Sequence, residues 1–252
     1  MLHDESRLEV HVHPLALRGD AVLAAFLSVG VLTFVVTYSL SWTVETRRLT
    51  LPYLFLSEAI DEAPSSCVGS FLLSPACALM ALVVLLRKEQ LAYVSPPLRL
   101  WWLGPVGALG GHGVASFQVH NAPIAHYAFA GVFFGALTFY VMASAWHERA
   151  HSVPVRSELC SAVRATSAIV APLLVLGATA IAPPLALAIA AGEPVEFEEP
   201  RDFAAHTAVF FGALAVLEVA FILAMAAHFA SLLPELRGVI IAFNITRAGE
   251  RC

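Results

Sequence analysis

The stretch FAAHTAVFFGALAVLEVAFILAMAAHFASLL, residues 203–233, decides what kind of protein this is. Its only charged side chain is Glu218, and apolar residues lie on every side of the helix it would form. A helix that is apolar all round belongs in a large core or in lipid. A crossing of the hydrocarbon core needs roughly 20 such residues. This stretch exceeds that length, so it is expected to tilt or to project beyond the bilayer.

Working outward, five more blocks read the same way: residues 21–43, 67–86, 100–119, 124–146 and 162–191. The reading is an all-α polytopic membrane protein, one transmembrane domain over 1–252, built as a bundle of six helices with a tail at 234–252. Composition agrees: 59% of the chain is hydrophobic and only 13% is charged, against about half and a quarter in soluble domains. The fifth block carries Pro172, Pro183 and Pro184, which predict a kink or an early end. The first 20 residues are polar and mixed in charge, unlike a cleavable signal or a transit peptide, so the first block reads as a retained signal anchor.

Lysine and arginine set the orientation. Arg7, Arg18, Arg87, Lys88, Arg99, Arg149, Arg156, Arg164, Arg237, Arg247 and Arg251 fall on one side, against Arg47, Arg48 and Arg201 on the other. Both termini are therefore expected in the cytoplasm. The opposite face collects Glu45, Glu58, Asp61, Glu62, Glu193, Glu196, Glu198, Glu199 and Asp202. The sequon at Asn244 then lies in the cytoplasmic tail and should carry no glycan. A net charge of −5 with no dense basic patch excludes nucleic acid as a partner. Cys67, Cys77, Cys160 and Cys252 lack metal-ligand spacing and predict no disulfide framework.

Polar groups within the spans need a reason, because they are costly there. His112 and Gln118 belong to the third block, His126 opens the fourth, and Glu218 and His228 lie in the sixth. A carboxylate at the depth of Glu218 should be protonated or paired, with His112, His126 or Gln118 as expected partners. The cluster His112, Gln118, His126 and Glu218 reads as a hydrogen-bonded clasp, a lipid-headgroup or ion site, or a catalytic dyad.

His147-Glu148-Arg149-Ala150-His151 fits H-E-x-x-H, where two histidines on one helix face bind zinc and the glutamate serves as base. Arg149 sets a positive charge beside that metal, Pro154 soon stops the helix, and no third ligand follows. His147, Glu148 and His151 remain a weak metal candidate. No P-loop, G-x-G-x-x-G after a strand, G-x-S-x-G or CxxC occurs, no regular polar stripe suggests a channel, and no internal repeat suggests a transporter. No cofactor is expected.

Gly107 and Gly111, like Gly131 and Gly135, stand four apart, a spacing that lets helices approach closely in lipid. Packing within the bundle is one use and dimerisation the other. Only a short turn, 120–123, joins the third and fourth blocks, which must form an antiparallel hairpin.

That hairpin carries a resemblance. GGHGVASFQ at 110–118, then Pro123, His126, Ala130, Phe134 and Tyr140, resembles the DRAM/Sfk family of six-span membrane proteins, the damage-regulated autophagy modulators and relatives. The family has a glycine-containing third helix ending in Asn-Phe-Gln, a turn with proline, and a histidine opening the fourth helix. Leu51-Pro52-Tyr53, the Pro64 and Cys67 that follow, and Glu218 as the glutamate of the family's Ala-Glu-Trp also fit. Ser116 replaces that Asn, Val219 that Trp, and residues 56–61 a Ser-Asp-Thr-Gly stretch, the marks of a divergent member. The resemblance implies a non-enzymatic membrane regulator or scaffold linked to autophagy, to lysosomal or plasma-membrane function, and to lipid organisation. Its partners would be membrane lipids, in an endomembrane (lysosome, Golgi or ER) or the plasma membrane. An accessory subunit of a larger membrane complex, partnered by other transmembrane subunits, is the first alternative. A lipid-remodelling enzyme using Glu218 and the histidines, or a zinc protease, is the second.

Overall fold

The computed structural model describes residues 15–43, 55–190 and 205–243. The sequon at Asn244, Cys252 and the acids Glu45, Glu193, Glu196, Glu198, Glu199 and Asp202 lie outside them, as do the basic residues at positions 7, 47, 48, 201, 247 and 251.

The elements are β1 (Leu15–Arg18), α1 (Gly19–Thr43), α2 (Leu56–Ala59), α3 (Ser65–Ala92), α4 (Leu103–Ser116), α5 (Pro123–Ala150), α6 (Glu158–Ala190), α7 (Ala205–Ala230), α8 (Leu233–Leu236) and β2 (Ile240–Phe243). Each long helix packs on the next: α1 on α3, α3 on α4, α4 on α5, α5 on α6, and α6 on α7. Aromatic edges close the ring. Phe229 of α7 meets Phe26 of α1 at 5.3 Å between ring centroids, and Phe221 meets Phe134 of α5 at 4.9 Å.

The apolar residues divide as a bilayer demands. Leu23, Val83, Leu137, Tyr140 and Phe229 are sealed inside, while Val31, Phe71, Ile124, Trp146, Leu159 and Leu223 face outward, each more than half exposed. A soluble fold does not spread large apolar side chains over its surface in this way. The chain is an all-α polytopic membrane protein.

Among the described residues, five helices are long and apolar enough to cross a membrane: α1, α3, α5, α6 to Ile181, and the α7–α8 run from Gly212 to Leu236. The expected third span falls short of that measure. Its helix, α4, has 14 residues, about 21 Å of rise against a core of roughly 30 Å. Residues 98–102 wind as turns instead, with the amides of Trp101 and Leu103 bonded three residues back. Pro96, Pro97 and Pro105 remove amide donors around that start.

The fifth span corrects the expectation of an early end, since α6 runs unbroken past Pro172, Pro183 and Pro184 to Ala190. A helix in lipid has no water to take its freed carbonyls, so it keeps its remaining bonds. α3 likewise continues through Pro75.

Contacts fix the direction of the central hairpin. Near the start of α3, the Ser70 hydroxyl donates to the Ala115 carbonyl at the end of α4. The Asp61 carboxylate accepts from the His120 amide at 2.9 Å. At the far end of α3, Arg87 meets Glu148 at the end of α5. So α4 runs back along α3, and α5 returns beside it.

The glycine pairs divide. On α4, a Cβ at Gly110 would stand 2.5 Å from the Phe133 amide nitrogen, so only glycine permits this α4–α5 approach. Gly107 likewise faces Leu137, and Gly111 faces Cys77 and Phe133. Gly131 and Gly135 of α5 have nothing within 4 Å of the position a Cβ would take.

β1 and β2 form an antiparallel ladder, Leu15 opposite Phe243 and Arg18 opposite Ile240. The Gly19 amide extends it to the Val239 carbonyl at 2.9 Å. Neither strand is expected from the apolar pattern. The ladder lies at the same end as Arg87 and Glu148, because Gln90 donates to the Glu235 carbonyl of α8 at 2.8 Å.

Candidate functional site

Two polar regions stand at opposite ends of the bundle. The first, at the strand end, is buried. Arg87 and Arg164 are 2% and 1% exposed, so neither guanidinium reaches water and each needs an internal answer. Glu148 supplies it to both. Its Oε1 accepts from Arg87 Nη2 at 2.5 Å and its Oε2 from Arg164 Nη1 at 3.1 Å. Arg164 Nη2 also reaches Glu235 Oε1 at 2.8 Å and the Ser231 carbonyl at 2.7 Å, while its Nε donates to the Ser231 hydroxyl at 3.0 Å. Arg87 Nη1 donates to Gln90 Oε1 at 2.7 Å. The network ties α3, α5, α6, α7 and α8 together. Its two arginines and two glutamates balance in charge.

This network holds the central residue of H-E-x-x-H. Both oxygens of Glu148 accept from arginines, which turns its carboxylate toward two guanidiniums. His147 is buried and its Nε2 bonds the Ser95 hydroxyl at 3.0 Å. His151 is exposed, its ring 4.5 Å from that of His147. Among the described residues, no group of three or more His, Cys, Asp and Glu converges on a metal position.

The second region gathers at the other end. Glu218 of α7 accepts from the backbone amides of Leu56 and Ser57, at the start of α2. Glu58 and the phenols of Tyr38 and Tyr127 lie within electrostatic reach. The partners of Glu218 are thus amides rather than the expected histidines or Gln118. His126, buried, bonds the Phe117 carbonyl through Nδ1 at 2.7 Å and closes the α4–α5 turn. His112 pairs its Nδ1 with Ser74 of α3 at 3.0 Å on the exposed side of α4. Gln118 caps the same turn through its carbonyl, which accepts from the Ala122 amide at 2.9 Å. His112, Gln118, His126 and Glu218 therefore hold separate joints of one end rather than a single clasp.

The profile of the Frag1/DRAM/Sfk1/Cwh43P N-terminal domain matches residues 21–239. The chain belongs to this family. The match takes in every long helix described above and reaches the turn before β2, so the family unit is the whole bundle. Neither a curated protein nor a solved structure matches the chain. The Glu218 loop end and the Glu148 charge cluster both lie inside the family unit.

The charge cluster escaped the sequence reading for a specific reason. In the sequence, Arg87 and Arg164 stand beside loops and read as orientation charges, and Glu148 reads as the centre of H-E-x-x-H. A usable signal existed: two arginines at span ends, with Glu148 and Glu235 at the corresponding ends of other spans.

Proposed function

We propose that the protein is a non-enzymatic integral-membrane regulator or scaffold of the DRAM type, acting on the organisation of membrane lipids. One observation carries this reading. The carboxylates within the bundle are used on the protein itself, Glu148 on Arg87 and Arg164, and Glu218 on two backbone amides. Both oxygens of Glu148 accept from guanidiniums, not from a nucleophile or an acid–base partner. A catalytic pair would need such a partner.

In this reading the chain crosses six times with both termini in the cytoplasm. The paired strands β1 and β2 support it, since two segments on one side require an even number of crossings between them. The short α4, running between the levels of Arg87 and His120, supplies the crossing beyond the five long helices. Asn244 then stays free of glycan in cells, and a glycosylated Asn244 overturns the orientation.

The functional test is reconstitution of the full chain in vesicles of mixed phospholipids and glycolipids, with lipid mass spectrometry before and after incubation. The reading expects lipids retained on the protein and chemically unaltered. A covalently altered lipid whose formation is lost in Glu218→Gln would overturn it in favour of a lipid-remodelling enzyme. An accessory role in a larger complex is the second reading, favoured by Gly131 and Gly135, which leave a flat strip on the outer face of α5. Purification in mild detergent decides it: a stoichiometric transmembrane partner supports the complex, and a lone species removes it.

A further inference from the structure

One to two helical turns inward from Glu148, the bundle interior holds polar atoms with nothing to bind. Tyr140, Ser144 and His228 are each 0% exposed. The Tyr140 hydroxyl, the Ser144 hydroxyl and both ring nitrogens of His228 are sealed from solvent and have no hydrogen-bond partner among the described residues. Arg87 Nε is in the same condition.

Two of these groups are neighbours, and the others share their helix face or their charged surroundings. The Tyr140 ring meets the His228 ring edge-on, 6.3 Å between centroids. Tyr140 and His228 are both within electrostatic reach of Arg87, Glu148 and Arg164. Tyr140, Ser144 and Glu148 recur every fourth residue and so share one face of α5. On α7, His228 stands one turn before Ser231, whose hydroxyl and carbonyl hold Arg164.

A buried donor or acceptor left unpaired costs at least as much as a made hydrogen bond contributes. Several in one place are not retained in a dry interior unless something answers them. The chemistry of the set defines that occupant. Two hydroxyls can donate or accept, a neutral imidazole offers one of each, and Arg87 Nε only donates. The adjoining arginines and glutamates already balance, so no surplus charge recruits an ion. Each of these atoms is sealed from solvent, so an occupant must be small and enclosed.

We propose that this position is an internal water site: ordered water molecules join Tyr140, Ser144 and His228 to the inner edge of the charge cluster at Arg87. Such water gives the cluster solvation on the side facing the bilayer interior, where lipid and apolar side chains supply none. Buried waters with two to four polar partners are integral parts of folded proteins.

Radiolytic hydroxyl-radical labelling of the full chain in lipid nanodiscs tests this directly, because radicals formed from bound water mark buried neighbours in place. Tyr140 and His228 should label several-fold above Phe221, which is as buried but apolar, after correction for intrinsic reactivity. Labelling no greater than at Phe221 overturns the site. Tyr140→Phe and Ser144→Ala give a second readout that separates hydration from a dry core. A water-bound hydroxyl that is removed should lower Tm by roughly 2–4 °C, what about one hydrogen bond is worth in a chain of this size. In a dry core the same change relieves an unpaired atom, and an unchanged or higher Tm for both variants overturns the proposal.

Discussion

Glu148 and Glu218 are both carboxylates inside a membrane bundle, and the protein answers them by opposite means. Glu148 meets two guanidiniums at the strand end, full charges that are themselves buried. Glu218 meets two peptide amides at the loop end, neutral dipoles at the start of α2. The first solution couples charge to charge, so removing one member strands the others. The second couples a side chain to backbone, so removing it leaves only neutral groups exposed to loss. The strand end is therefore a rigid joint of α3, α5, α6, α7 and α8, and the loop end a weaker tie of α7 to a short connecting helix.

Glu148→Ala breaks this comparison most directly. It leaves Arg87 and part of Arg164 buried without their counter-charge, which costs about 3–5 kcal/mol. Thermal unfolding of the purified chain in detergent should show a large drop in Tm or a failure to accumulate folded protein. A loss below about 1 kcal/mol would mean that bulk solvent reaches those arginines, and the strand end would no longer differ in kind from the loop end.

Glu218→Ala comes next. Two amides lose their carboxyl acceptor, a cost of about 1–3 kcal/mol. Glu218→Gln sits below it, since the amide oxygen can still accept from Leu56 or Ser57, and a cost of about 1 kcal/mol or less is expected. Equal losses for the alanine and glutamine variants would show that charge, not hydrogen bonding, anchors α2.

What was legible in the sequence follows from the same physics. Helices such as α1 and α5 are announced by length and all-round apolarity, because lipid imposes both. The start of α4 was not legible to the residue, since Trp101 and Trp102 are apolar enough to read as helix while the prolines around them force turns. The ladder of β1 with β2 pairs opposite ends of the chain, and no local pattern encodes so distant a partner. At the loop end, His126 and Glu218 were legible as residues needing partners. Their partners were not, because the Phe117 carbonyl and the amides of Leu56 and Ser57 are backbone, which every residue offers alike. At the strand end the side chains did carry the information, but a motif reading drew Glu148 toward its histidines and away from Arg87 and Arg164.

The smallest effect sharpens that last point. If Glu148 serves the arginines, His151 has no metal to hold, and His151→Ala should change stability by no more than about 0.5 kcal/mol, as at other exposed positions. Added zinc should leave the Tm of the unaltered protein where it is, and a chelator should not lower it, since a ligand bound to the folded state would raise Tm in proportion to its occupancy. A zinc-dependent rise in Tm that His151→Ala removes would require Glu148 to turn away from at least one guanidinium. The same sample would then lose the large penalty expected for Glu148→Ala without zinc, because the arginine left behind would already be unpaired in the bound state. The two measurements on one protein therefore constrain each other: a strong ion-pair loss and a zinc response carried by His151 cannot both describe the same position of Glu148.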